Sequence, residues 1–313
     1  KYDSQTPAWS DRWWKFLQET FPDDENYEKR AILQQFFGYC LLRDCRHQAM
    51  MLLYGTGANG KSTALDCLLA IIGEDNTVSV ALELLGDKFK SQLLHNKMVN
   101  ISGEITSRKP IETDMLKRII SGDMLTVEEK YQFHFSFRNY AKLIAAMNEA
   151  PVIPDKSYGF ARRIIVVNFE RRFMPQEIAK RVEELGGKKM SDYLVEEKDG
   201  IFAWALEGLK ILLRNHGFRL SSRIQDDTDQ IFEALNPILI FVNEMCEIHE
   251  GVTVETTDLW ECYEEWCRAG HNRALSRNKF LEQVQQTFRV TRPRVSDEQG
   301  KKKRLKTFEG IGL

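Results

Sequence analysis

In the first fifty residues apolar positions recur at helical spacing. WSDRWWKFLQETF places Trp9, Trp13, Phe16, Leu17 and Phe21 on one stripe, with Ser10 in the N-cap position. YEKRAILQQFFGYCLL predicts a second helix. At QAMMLLYG the texture changes to a short continuous apolar run ending in glycine, the pattern of a buried parallel strand. Three similar runs follow: KMVNIS (97–102), AKLIAAM (141–147) and RRIIVVNF (162–169), separated by amphipathic stretches such as TALDCLLAIIG and TDMLKRII. Alternating strand and helix predicts an α/β domain with a mainly parallel sheet. Residues 175–218 return to helix, most strongly in SDYLVEEKDGIFAWALEGLKILL. After the polar SSRIQDDTDQ come three helical patterns, IFVNEMCEIH, TTDLWECYEEWCRA and SRNKFLEQVQQTF. FRVTRPRV and RLKTFEGIGL then flank a charged turn, and helices followed by a basic hairpin fit a winged helix. The expected divisions are an N-terminal helical region (1–47), a core (48–172), a helical lid or linker (173–229) and a winged-helix-like basic domain (230–313).

Composition adds limits to this picture. Of 313 residues 42% are hydrophobic and 29% charged, a globular balance rather than a disordered one. No apolar run approaches the roughly 18 residues that suggest a membrane span. The chain opens Lys1-Tyr2-Asp3-Ser4, without an initiator methionine or a signal-peptide pattern, and reads as a piece of a longer, cytoplasmic protein. Six cysteines lie in apolar stretches, as reduced thiols do. Cys262, Cys267 and His271 have a spacing that a zinc site could use, but Leu259, Cys262, Tyr263 and Trp266 form one helical stripe, which favours buried core. The net charge of −2 hides an asymmetry: residues 268–313 carry +8 and the remainder −10. A basic tail on an acidic body suggests a polyanion partner, with a solvated charged surface as the alternative.

Gly55-Thr56-Gly57-Ala58-Asn59-Gly60-Lys61-Ser62 matches the phosphate-binding pattern G-x-x-x-x-G-K-[ST], and it sits between a strand and a helix as that loop must. Glycines let the backbone wrap closely around phosphates, and the following helix directs its N-terminal dipole at the same charge. Gly55, Gly57, Asn59, Gly60, Lys61, Ser62 and Thr63 are the expected ATP contacts. Lys61 reaches the β and γ phosphates, and Ser62 ligates Mg²⁺. Hydrolysis further needs a carboxylate, a polar group near the γ phosphate and a positive charge. Glu104 follows the strand in MVNISGE and suits the base, with Mg²⁺ reached through water; Gly103 stands where an aspartate is commoner. Asn148, ending AKLIAAMN, suits a sensor amide, or a turn-forming residue before a proline loop. Arg162 and Arg163 suit an arginine finger acting on a neighbour's ATP, or surface charge.

These segments, in this order, resemble superfamily 3 helicases, specifically the phage and plasmid primase–helicase family related to poxvirus primase–helicases. FFGYCLLRD and GTGANGKST are similar to that family's ATPase core, KMVNISGEI to its Walker B strand with a lone glutamate, and AKLIAAMNEAP to its sensor motif. YGFARRIIVVNF looks like its arginine-finger segment, and LKRIISGDMLTVEEKYQFHFSF like the motif between Walker B and sensor. The tail ending in GIGL is similar to its C-terminal winged-helix region. The resemblance implies an AAA+ ring, a hexamer, that translocates on DNA with ATP at subunit interfaces, often behind an N-terminal primase or polymerase domain. It also implies a hairpin entering the ring channel, with Lys130, Tyr131 and His134 near its tip contacting single-stranded DNA. Arg277 and Lys279 on the last helix, with Lys301, Lys302, Lys303 and Arg304 in the wing, would contact duplex DNA, although the same module could serve only to dock proteins. The expected function is thus an ATP-dependent DNA helicase of a phage or plasmid replication protein in a bacterial host. An AAA+ loader, or an origin-binding scaffold assembled by ATP, would share the same nucleotide residues. A small-molecule kinase fits least, because there is no acceptor-site lid and the tail is basic.

Overall fold

The Ser10 hydroxyl accepts from Trp13 N at 3.0 Å and starts α1 (Asp11–Thr20), while donating to Glu197 Oε2 at 2.6 Å. This is a computed structural model that describes residues 9–103, 111–127, 135–148, 158–234, 237–249, 251–269, 274–288, 290, 294–296, 302–304 and 307–313. Trp13, Phe16, Leu17 and Phe21 are buried; Trp9, the first residue of the predicted stripe, stays exposed. Helix α2 (Glu28–Tyr39) follows, then β1 (Met50–Tyr54) and α3 (Lys61–Ile72).

Five parallel strands form the central sheet: β2 (Thr77–Val78), β3 (Val99–Ser102), β1, and two that come after the short α4 (Lys88–Ser91), α5 (Thr113–Ser121) and an antiparallel pair. That pair is β4 (Met124–Val127) and β5 (Phe135–Arg138), in register Val127 to Phe135. The remaining sheet strands are β6 (Lys142–Met147) and, after α6 (Tyr158–Ala161), β7 (Ile164–Asn168). The order across the sheet is β2-β3-β6-β1-β7. Strand β1 therefore leads to the far edge through α3, whereas β6 leads the other way, across β1 to β7. Adjacent strands whose connections run in opposite directions open a crevice at their carboxyl ends, and here it lies between β1 and β6.

Helices α7 (Pro175–Glu184), α8 (Met190–Val195), α9 (Lys198–Arg214) and α10 (Ser222–Ala234) complete the first compact unit, which runs to Phe232. The helical N-terminus, the sheet and the α7–α10 region lie together in this unit. Helices α2 and α9 touch backbone to backbone. A Cβ on Gly38 would lie 2.4 Å from Leu209 N, and one on Gly208 would lie 2.2 Å from the Gln34 carbonyl oxygen. On the open edge of β7, Val166 N donates to the Thr228 hydroxyl of α10 at 3.3 Å, which covers part of that edge. Two buried lysines fasten opposite ends of the sheet. Lys29 Nζ donates to Asn168 O at 3.1 Å and pairs with Glu170 at 3.0 Å. Lys142 Nζ donates to the carbonyls of Leu42 and Tyr140, and burial holds its pKa below the usual lysine value.

The second unit, from Glu233, has its own core of Phe241, Leu259, Tyr263, Phe280, Val284 and Phe308. It contains α11 (Pro237–Met245), β8 (Thr253–Glu255), α12 (Thr256–Ala269), α13 (Arg277–Phe288), β9 (Arg294–Ser296), β10 (Lys302–Arg304) and β11 (Thr307–Glu309). Strands β9 and β10 pair antiparallel, but they overlap the two predicted hairpin strands only at 294–295 and 304. RLKTFEGIGL, however, divides: β11 pairs antiparallel with β8, which the sequence pattern did not suggest. Cys267 is buried in this core, and Cys262 packs half-buried against it.

Candidate functional site

The loop between β1 and α3 leaves the sheet where β6 ends, with Gly55 N donating to Met147 O at 3.1 Å. Gly57 (φ 94°), Ala58 (φ 51°) and Gly60 (φ 90°) all take positive φ, which folds the backbone back on itself within six residues. Such runs of left-handed residues make anion-binding concavities. Gly60 is the N-cap of α3, and a Cβ there would lie 3.0 Å from the Phe16 ring.

Lys61 is 3% exposed. Its ammonium donates to Gly55 O (2.7 Å), Asn59 Oδ1 (2.9 Å) and Asn148 Oδ1 (3.0 Å) among the described residues. The carboxyl ends of β1 and β6 thus meet on one ammonium, in the crevice that the strand order creates. Asn59 is also buried and donates to Phe169 O at 3.2 Å, and Phe173 N donates to Ala58 O at 2.7 Å. Both contacts pin the loop to the segment that follows β7. Ser62 is exposed in the first turn of α3, and Thr63 beside it is half-buried.

A cavity of about 280 Å³ opens over residues 57–63. Its opposite wall is mostly apolar: Phe16 from α1, Phe173, Met190, and Ile178, Val182 and Leu185 from the α7 region, with Arg181 and Lys189 among them. Sequence reasoning missed this wall. The signal was available, because Ile178, Val182 and Leu185 form a stripe on a helix with no buried residue, and Ile178 remains 41% exposed. Polar groups fix the wall's position. Arg171 and Arg181 both lie over the Phe173 ring, at 4.5 and 5.0 Å, and share Glu177 at 2.6 and 3.1 Å. Arg181 also reaches Glu19 of α1 at 2.7 Å. An apolar slot beside a few directed polar groups is the usual form of a small-ligand site.

Arg162 and Arg163 lie at the other end of the sheet. Arg163 O accepts from Met50 N at the start of β1, so the pair sits at the amino ends of strands whose carboxyl ends hold Lys61. Five residues of β7 separate the two ends by roughly 16 Å. The two arginines differ. Arg163 is half-buried, donating to Gly159 O and, at 3.2 Å, to Ser121 Oγ, and burial pulls its pKa down. Arg162 is exposed.

Other expected residues lie elsewhere. Glu104, Lys130, Tyr131, His134 and Lys301 are outside the described residues. Lys302, Lys303 and Arg304 lie on β10, described by backbone alone. Arg277 and Lys279 are exposed in the first turn of α13, where Arg277 Nη2 donates to Thr257 Oγ1 at 2.9 Å.

Residues 53–163 match a family of unknown function (DUF5906), and residues 233–309 match the family described as Poxvirus D5 protein-like. Among curated proteins the chain is 23% identical to "Putative helicase L207/L206" of Acanthamoeba polyphaga mimivirus, covering 85% of this chain and 29% of that protein. It is 28% identical to "Primase D5" of Fowlpox virus (strain NVSL), over 48% of this chain and 20% of that protein. The chain therefore spans less than a third of the length of these two relatives. Among solved structures, the apo C-terminal region of NrS-1 superposes with a TM-score of 0.53 at 15% identity, covering 97% of this chain and 76% of that one, a likeness of fold. A poxvirus D5-like match in the second unit, together with similarity to a putative viral helicase along most of the chain, relates this protein at low identity to the primase and helicase proteins of large DNA viruses.

Proposed function

We propose that the chain is the ATP-hydrolysing motor of a DNA-replication helicase, a superfamily 3 AAA+ P-loop core with a C-terminal winged helix, working as a hexameric ring. One observation carries the nucleotide reading: a buried lysine ammonium in the β1–β6 crevice, held by the loop carbonyl of Gly55 and by Asn59 and Asn148. The γ phosphate takes over part of that coordination when ATP binds. Loop N–H groups and the N-terminus of α3 face the α and β phosphates, and Ser62 is the metal-binding hydroxyl. Mg²⁺, when bound, neutralises phosphate charge. The donors fit it, since serine and carboxylate oxygens suit a hard cation. Phe16, Phe173 and the α7 stripe cover the base. Glu104 activates the attacking water, and Asn148, already bonded to Lys61, orients it.

Arg162 is the residue that acts on a neighbour's ATP. It is exposed and sits at the sheet end opposite its own Lys61, so it serves a site on another subunit; Arg163 is an internal strut. Arg162→Ala should cut turnover about a thousandfold while leaving nucleotide affinity and melting temperature unchanged. Arg163→Ala should instead cost roughly 1–3 kcal/mol of stability. ATPase assays with parallel melts check both, and the reverse pattern would exchange the two roles. The names of the viral relatives support the link to replication, and the basic charge of residues 268–313 supports DNA as partner. Lys130, Tyr131 and His134 are the proposed channel contacts. Arg277, Lys279, Lys301, Lys302, Lys303 and Arg304 are the proposed duplex contacts, and an N-terminal primase or polymerase domain is the proposed companion. The deciding experiment is ATP-dependent unwinding of forked DNA by this chain. ATP turnover without strand separation would move the reading to a loader.

A further inference from the structure

We infer that Asp66 is the metal-positioning carboxylate of this ATPase, replacing the acid that other P-loop enzymes carry before the catalytic glutamate. The inference rests on the nucleotide reading above. In P-loop NTPases a strand-end aspartate shares the metal with the loop hydroxyl. Here Gly103 occupies that place, at the end of β3, and provides no side chain. A Cβ built on Gly103 meets no atom within 4 Å among the described residues, and Gly103 borders a cavity.

The same space has another carboxylate on its rim. A second cavity, of about 420 Å³, is lined by Ser62, Asp66, Ser79 and Gly103. Ser62 and Asp66 are four apart on α3 and therefore share a face, with Cβ atoms roughly 5–6 Å apart. Side chains on a helix lean toward its N-terminus, so the Asp66 carboxylate covers the turn that carries Ser62. Asp66 is exposed, and among the described residues it has no hydrogen-bond or ion-pair partner, so its oxygens are available. Mg²⁺ keeps several waters and is held through one or two carboxylates plus phosphates. A carboxylate one turn behind the hydroxyl suits a hydrogen bond to a metal-bound water rather than direct ligation.

Mn²⁺ titration followed by its electron paramagnetic resonance signal, with ADP present, tests this. Asp66→Asn should raise the apparent Kd for Mn²⁺ about tenfold, and ADP affinity in EDTA should stay the same. Gly103→Asp placed in the Asp66→Asn background should restore tight Mn²⁺ binding. Glu74→Gln, which removes a carboxylate from the far side of the same cavity, should change nothing. Unchanged Mn²⁺ affinity in Asp66→Asn overturns the inference. A matching loss of ADP affinity in EDTA also overturns it, because that would mark Asp66 as a support for the loop. Failure of the parent chain to bind ADP at all would overturn the nucleotide reading itself.

Discussion

Lys61→Ala should lower ATP turnover by at least a hundredfold, in line with the roughly 10²–10³ lost when one preorganised donor to a developing charge is removed. Forked-DNA unwinding should disappear with it. The size of the effect follows from burial: the ammonium is 3% exposed and no water can replace it at full strength. The fold should survive. Gly55 O, Asn59 and Asn148 each lose one donor, a cost of about 1–3 kcal/mol that lowers the melting temperature by several degrees. Lys61→Arg should rescue little, because a planar fork cannot meet three acceptors grouped around a point charge. Steady-state ATPase with a thermal melt on the same samples measures both effects. An alanine variant with near-parental turnover would remove Lys61 from the chemistry.

Gly208→Val should be the most damaging single change to stability. The new Cβ would fall 2.2 Å from the Gln34 carbonyl oxygen and 2.4 Å from its carbon, both backbone atoms of α2. No rotamer relieves a clash at Cβ, so α2 and α9 must separate. Gly38 makes the reciprocal approach, where an added Cβ would fall 2.5 Å from Ala205 O, and the parting would uncover Phe37 and Trp204 and the Trp13 ring of α1 packed on them. A loss of about 3 kcal/mol or more is expected, against a total near 5–15 kcal/mol. Urea titration measures it, and a midpoint within error of the parent would mean the helices do not cross this closely.

The strands were legible because a short, continuous apolar run bounded by glycine has few other readings, and MMLLY, VNIS, KLIAAM and IIVVN all pair as parallel strands. Their order was not legible. All four runs are similarly apolar, and only the crossings decide that β6 lies between β1 and β3. SDYLVEEKDGIFAWALEGLKILL reads as one helix, yet it breaks between α8 and α9. Glu196 and Glu197 turn there to meet Arg12 at 2.7 and 2.9 Å, an interaction with α1 that local periodicity cannot contain. IFVNEMCEIH stops being helical after Met245, where Glu247 bridges to Gly312. The place of the Gly55–Lys61 loop between a strand and a helix was legible because β1 and α3 flank it directly in the sequence. The apolar stripe of α7 was available in the sequence, but its place in the cavity wall was not, because Phe16 and Val182 come together only after folding.

The strand order also sets a timetable. Met51 of β1 pairs with Ile144 on one side and Ile165 on the other, and both partners follow it by roughly ninety residues or more. A ribosome adding about 5–20 residues per second exposes β1 well before β6 exists. For roughly 5–20 seconds an uncharged, apolar MMLLY segment has both edges open, the signature of an aggregation-prone stretch. Yield in a cell should therefore depend on translation speed and on chaperones that hold this strand, more than on the stability of the finished sheet.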